Sequence, residues 1–78
     1  MNVRPGHYRH YKGNDYLVIG VARHSESSEP LVVYRQEYGD RSLWVRPLAM
    51  FQEVVTVGEQ SVPRFRFLRP AENNHESQ

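Results

Sequence analysis

Between Tyr16 and His24 the apolar positions repeat every second residue: Leu17, Ile19 and Val21 fall on one face of an extended chain, and Val18, Gly20 and Ala22 on the other. The first set is bulkier and is expected to face the core. Gly20 inside such a run marks a bulge or a sharp bend. The same two-residue period returns in Val62 to Leu68, where Phe65 and Phe67 alternate with Arg64 and Arg66. Pro63 puts that strand at a sheet edge or makes position 63 its entry. Between these runs, Leu31 to Arg35 and Leu43 to Arg46 are dense in branched and aromatic side chains and are separated by Tyr38-Gly39-Asp40. They predict a hairpin in which Trp44 and Arg46 share a face opposite Leu43 and Val45, with Tyr34 beside them if the register is simple.

The remaining segments fit around these. His7 to Lys12 is strand-like and is followed by turn chemistry at Gly13-Asn14-Asp15. Ser25 to Pro30 is a polar loop closed by a proline that cannot sit in a central ladder. Arg46-Pro47 takes the chain out of regular pairing, and Leu48-Ala49-Met50-Phe51 has the length of one helical or 3₁₀ turn, suited to plug an open end of a barrel. Glu53 to Val57 is β-branched, and Gly58-Glu59-Gln60 turns it into the Phe65 run. Neither an internal repeat nor a helical period longer than one turn is present. The pattern predicts an all-β fold: a small SH3-like barrel of five to six short strands, with one short helical turn near residues 47–51. The core is expected at Leu17, Ile19, Val21, Leu43, Val45, Phe65 and Phe67.

Length limits what this fold can do. A chain of 78 residues hides only roughly 60% of the surface it would expose unfolded, so it holds one domain with one marginal core. That domain is expected over residues 1–69. From Pro70 onward the chain has no apolar anchor, and residues 70–78 are expected to be a disordered tail. With no cysteine, stability has to come from packing or from self-association into a homo-oligomer. No apolar run reaches the length of a signal-peptide core or a membrane span, so a soluble, cytoplasmic protein is expected, with no membrane partner.

The blocks Tyr8-Arg9-His10-Tyr11-Lys12-Gly13, Gly20-Val21-Ala22-Arg23-His24-Ser25-Glu26, Val32-Val33-Tyr34-Arg35, Leu43-Trp44-Val45-Arg46-Pro47-Leu48 and Val62-Pro63-Arg64-Phe65 together resemble the bacterial domain-of-unknown-function family 1653. The likeness extends up to Leu68. It implies a small SH3-like barrel and no established activity, so it supplies no functional residues. Gly58-Glu59-Gln60 stands where an Asp-Gly turn is expected.

Catalytic and metal chemistry find little support. His7 and His10 are three apart, which on a strand turns them to opposite faces and prevents a shared grip on one ion. His24 and Ser25 are neighbours and diverge in the same way, with Asp40 or Glu37 the only nearby candidates to orient a triad. Glu26, Glu29, Glu37 and Asp40 sit in or beside loops, and no glycine-rich phosphate cradle is present. No enzyme activity, metal or cofactor is therefore expected.

Binding has more support. Nine of the ten basic residues are Arg, and without the tail the balance is ten basic against seven acidic residues, about +3. Arg interleaved with Trp and Tyr suits a module that grips a peptide, a partner protein or a small anionic ligand; the expected surface is Trp44, Arg46, Tyr34, Arg35, His10 and His24. The alternative is a stacking platform for single-stranded nucleic acid, such as RNA, although the net charge is low for a protein governed by phosphate contacts. Arg46 on the same face places Trp44 at a wet rim, since a guanidinium beside an indole is difficult to bury dry.

Overall fold

The structure, a computed structural model, describes residues 3–71. Of the tail expected over residues 70–78, Pro70 is the last residue of the final strand, and residues 72–78 lie outside the described residues. The runs read above become β1 (Gly6–His10), β2 (Asp15–Arg23), β3 (Pro30–Gln36), β4 (Leu43–Pro47), a single-turn helix α1 (Leu48–Phe51), β5 (Val54–Val57), β6 (Gln60–Pro63) and β7 (Phe65–Pro70). The chain is all-β with one short helix, as its pattern predicts. Among the described residues the strands number seven, and they form two antiparallel sheets with no closed barrel. A five-stranded sheet has the order β4-β3-β2-β1-β7, and β5 and β6 make a separate hairpin.

The additional strand arises at Arg64. The expected single strand from Val62 to Leu68 breaks there, because the Arg64 backbone N–H donates to Glu53 O at 2.9 Å while its carbonyl accepts from Tyr11 N–H at 2.9 Å. Residues before Arg64 therefore pair with β5, and residues after it pair with β1. The β5–β6 turn is the two-residue loop Gly58-Glu59, with Gly58 at φ 63°, as a type II′ hairpin requires at its first position.

Which residues face inward follows from the register. Val18 pairs with Tyr34 and Gly20 with Val33, leaving Ile19 without a partner as a β-bulge. Beyond the bulge the alternation changes phase, so Leu17 and Val21 do not share a face. Val18, Tyr34 and Trp44 form one cross-strand row, and Val21, Val32 and Arg46 another. Both rows lie on the inner face. The outer face carries the rows Leu17, Arg35, Leu43 and Gly20, Val33, Val45.

The buried core is Tyr8, Val18, Val32, Tyr34, Leu48, Phe51 and Phe65, with Phe67 packed against it. This corrects the expected core at five positions. Ile19, Val21, Leu43 and Val45 are exposed, and Leu17 is only half-buried. The reason is volume: four aromatic rings fill the inner side, and the bulge gives the deepest β2 position to Val18 rather than to a larger aliphatic residue. Pro47 directs the chain over that face, where α1 lays Leu48 and Phe51 onto it. Phe51 stacks on Phe65 with centroids 4.2 Å apart and planes 5° from parallel.

Phe65→Ala is expected to cost about 3 to 5 kcal/mol, much of the stability available to so small a domain. Leu43→Ala and Val45→Ala on the outer face should each cost about 0.5 kcal/mol or less. Urea denaturation of the three variants checks the assignment, and a Phe65→Ala protein as stable as its parent would overturn it.

Gly6 is a second sensitive position. It has φ 151°, and a Cβ there would lie 2.5 Å from the Arg69 carbonyl oxygen. Gly6→Ala should lose about 1 to 3 kcal/mol through backbone strain alone, read as a lower melting temperature.

Candidate functional site

Among the surface clefts of the described residues two carry the candidate chemistry, and different parts of the ladder build them. The first lies where the β1–β2 turn meets the β5–β6 hairpin, a cavity of about 330 Å³ walled by Arg9, His10, Tyr11, Val57, Val62 and Arg66, among others. Pairing of β1 with β7 sets Arg9 directly opposite Arg66. Like charges at such positions repel, and the two are not compensated equally. Arg9 grips Asp15 through Nε to Oδ1 at 2.7 Å and Nη2 to Oδ2 at 3.1 Å, and this bond holds the Asp15 carboxyl below its ordinary range. Arg66 has no acidic partner among the described residues.

His10 stands at the inner wall of this cleft. Its ring packs edge-on to Phe65 at 4.9 Å and lies 4.7 Å from Tyr11. Nδ1 accepts the Lys12 backbone N–H at 3.1 Å, which places the proton of the neutral ring on Nε2. Burial lowers the His10 pKa, and Arg64, Arg46 and Lys12 lower it further by repulsion. Arg46 reaches from one sheet edge to the other, its guanidinium carbon 5.6 Å above the Phe65 ring. The Nε atoms of Arg46 and Arg64 are buried without a hydrogen-bond partner.

The second cleft, about 170 Å³, is lined by Tyr16, Tyr34, Gln36, Tyr38 and Trp44. Tyr34 is its buried floor, while Trp44, 52% exposed, and Tyr38 form the rim. The indole N–H of Trp44 donates to Gln36 Oε1 and to Ser42 Oγ, which fixes the ring. The Tyr16 and Tyr38 hydroxyls share a hydrogen bond of 2.8 Å. Burial, reinforced by that bond, pushes the Tyr16 phenol up to about 12, so it stays neutral at ordinary pH.

The six residues expected to share one surface are therefore dispersed. Tyr34 and Trp44 meet in the tyrosine-lined cleft. His10 lines the basic cleft, with Arg46 close enough to bias its titration. Arg35 is on the outer face, its Nη1 donating to Arg41 O at 3.0 Å. His24 folds into the β2–β3 turn, where Nδ1 accepts from the backbone N–H groups of Glu26 and Ser27. Sequence reasoning missed Arg9, Tyr11 and Arg66, and Tyr16 and Tyr38. The alternation of Arg66 was visible, but nothing local shows that β7 would run beside β1. Among the described residues no three His, Asp or Glu side chains gather as a metal site would need. No described helix is long and apolar enough to cross a membrane.

These features define a class: a small all-β domain that presents one basic and one aromatic cleft on a two-sheet frame. The chain belongs to the family DUF1653, described as a protein of unknown function, whose model matches residues 6–67. It is similar to the crystal structure of a member of that family from Bordetella bronchiseptica, with 38% identity and a TM-score of 0.81, over 92% of this chain and 95% of that one. Among curated proteins there is no match.

His10 makes stability depend on pH. Its folded pKa lies below the ordinary value of 6.5, so the unfolded state takes up the proton first and stability falls as pH drops from neutral through that value. Below the folded pKa the loss is complete and the His10 contribution is flat. His10→Gln should remove this part of the slope in melting temperatures recorded from neutral to mildly acidic pH, and an unchanged slope would show that His10 is not its source.

Proposed function

We propose that this domain is a binding module, not an enzyme, and that it grips an anionic group in the cleft between the β1–β2 turn and the β5–β6 hairpin. The group can belong to a peptide, a partner protein or a small ligand. One observation carries the reading: Arg66 faces Arg9 across the ladder at the mouth of an open cleft and has no acid of its own among the described residues. A bound carboxylate or phosphate would relieve that repulsion and accept the forked hydrogen bonds a guanidinium offers. Tyr11, Val57 and Val62 would supply the apolar wall that an extended segment needs. Catalysis is the weaker reading because no carboxylate among the described residues lines the cleft and the nearby Asp15 is already held by Arg9.

Chemical-shift titration of the labelled protein with inorganic phosphate, with a short acidic peptide and with single-stranded RNA tests the reading. Shifts at Arg9, Tyr11 and Arg66 are expected with the anions, and Arg66→Gln should weaken binding about tenfold, the equivalent of one charge-assisted hydrogen bond. Silence of this cleft toward all anions would overturn the proposal. Shifts centred on Trp44 with RNA alone, lost steeply with salt, would replace it with the single-strand reading.

A further inference from the structure

The tyrosine-lined cleft has a chemistry opposite to that of the basic one, and it stands independently of the function proposed above. Tyr16 meets Tyr34 at 5.3 Å with planes 82° apart and Tyr38 at 5.6 Å with planes 79° apart. Roughly perpendicular rings enclose a corner rather than form a flat ridge, and Trp44 adds a further wall on β4. The cavity of about 170 Å³ is small and aromatic, and its one lining residue that is not aromatic is Gln36.

None of the lining side chains is basic. The two arginines nearest along the ladder are engaged elsewhere, Arg35 with the Arg41 carbonyl and Arg46 over the Phe65 ring. The polar atoms at the walls are chiefly oxygens: the Tyr16 and Tyr38 hydroxyls, and Gln36 Oε1, which orients the indole. A small space lined by four aromatic side chains, with no basic residue among them, attracts a soft, weakly hydrated positive charge. An anion would meet the negative faces of the rings and no charged donor. The walls are also set before any ligand arrives, because Trp44 is held by Gln36 and Ser42, and Tyr38 by Tyr16.

We propose that Tyr16, Tyr34, Tyr38 and Trp44 form a cage for an alkylated ammonium head group. The same chemistry is carried by free quaternary amines and by methylated lysine side chains. Trp44 is the only tryptophan of the chain, so its fluorescence reports on this cleft and on the neighbouring hollow it shares with Val33, Leu43 and Val45, and Tyr38 variants separate the two.

The test titrates the full chain with choline, with its uncharged carbon isostere dimethylbutanol, and with trimethyllysine blocked at both ends, following Trp44 emission. Choline or the blocked trimethyllysine should change the emission saturably and bind about five- to tenfold more tightly than the isostere, the margin a cation gains over a neutral group of the same shape. Preference for choline assigns the cage to free amines, and preference for the blocked trimethyllysine assigns it to modified protein segments. Tyr38→Phe should keep affinity within about twofold because the ring remains, whereas Tyr38→Ala should lose about tenfold or more. Both variants alter a rim residue, and circular dichroism verifies their fold. Equal affinity for choline and the isostere would overturn the proposal in favour of a plain apolar slot, and so would an emission unchanged by all three compounds.

Discussion

Phe65 holds this domain together. Four rings close on it, with centroids at 4.2 Å for Phe51, 4.9 Å for His10, 5.7 Å for Tyr16 and 5.9 Å for Tyr34. They come from α1, β1, β2 and β3, so one side chain on an edge strand joins most of the elements. The Arg46 guanidinium from the opposite edge strand covers the same ring. Each aromatic contact is worth about 0.5 to 1.5 kcal/mol beyond the area it buries. A chain with no disulfide and a short core relies on such contacts.

That arrangement explains how the two clefts arise. The aromatic cluster reaches the surface on two sides of the sheet. Toward β3 and β4 it ends in Tyr16, Tyr38 and Trp44, whose hydroxyl and indole groups are paired with one another, with Gln36 or with Ser42. Toward β1 and β7 it ends in His10 and Tyr11, beneath the arginines of those strands. Burial and nearby positive charge lower the His10 pKa and so disfavour a charge against the apolar centre. The same framework thus offers a basic surface and an electron-rich one.

The outer face presents the reverse situation. Ile19, Leu43 and Val45 are exposed although their chemistry suits a core. Leu43 and Val45 lie on β4, an edge strand whose outward backbone groups have no ladder partner among the described strands, and Ile19 on β2, two strands in. The hydrophobic pattern alone would have buried them. Four of the six branched aliphatic residues on β2 and β4 are exposed, while the aromatic residues on the inner face are larger and have α1 to cover them.

The contrast separates what local chemistry determines from what the tertiary structure decides. Alternation, turn residues and proline positions were enough to place every strand except the β6/β7 pair read as one, the helical turn at Leu48–Phe51, and the hairpin that puts Tyr34 beside Trp44 with Arg46 on the same face. Those features depend on the pleat and on φ/ψ preferences, which act over a few residues. Alternation defines two faces but carries no sign, so it could not say that Val18 and Tyr34 go inside while Ile19 and Val45 stay out. Gly20 marked the bulge in advance, but its register against β3, the break at Arg64 and the pairing of Arg9 with Arg66 all depend on strands distant in the chain. Packing of whole aromatic rings against α1 chose the inner face, and only long-range pairing could bring Tyr16 to Tyr38 and Arg66 to Arg9.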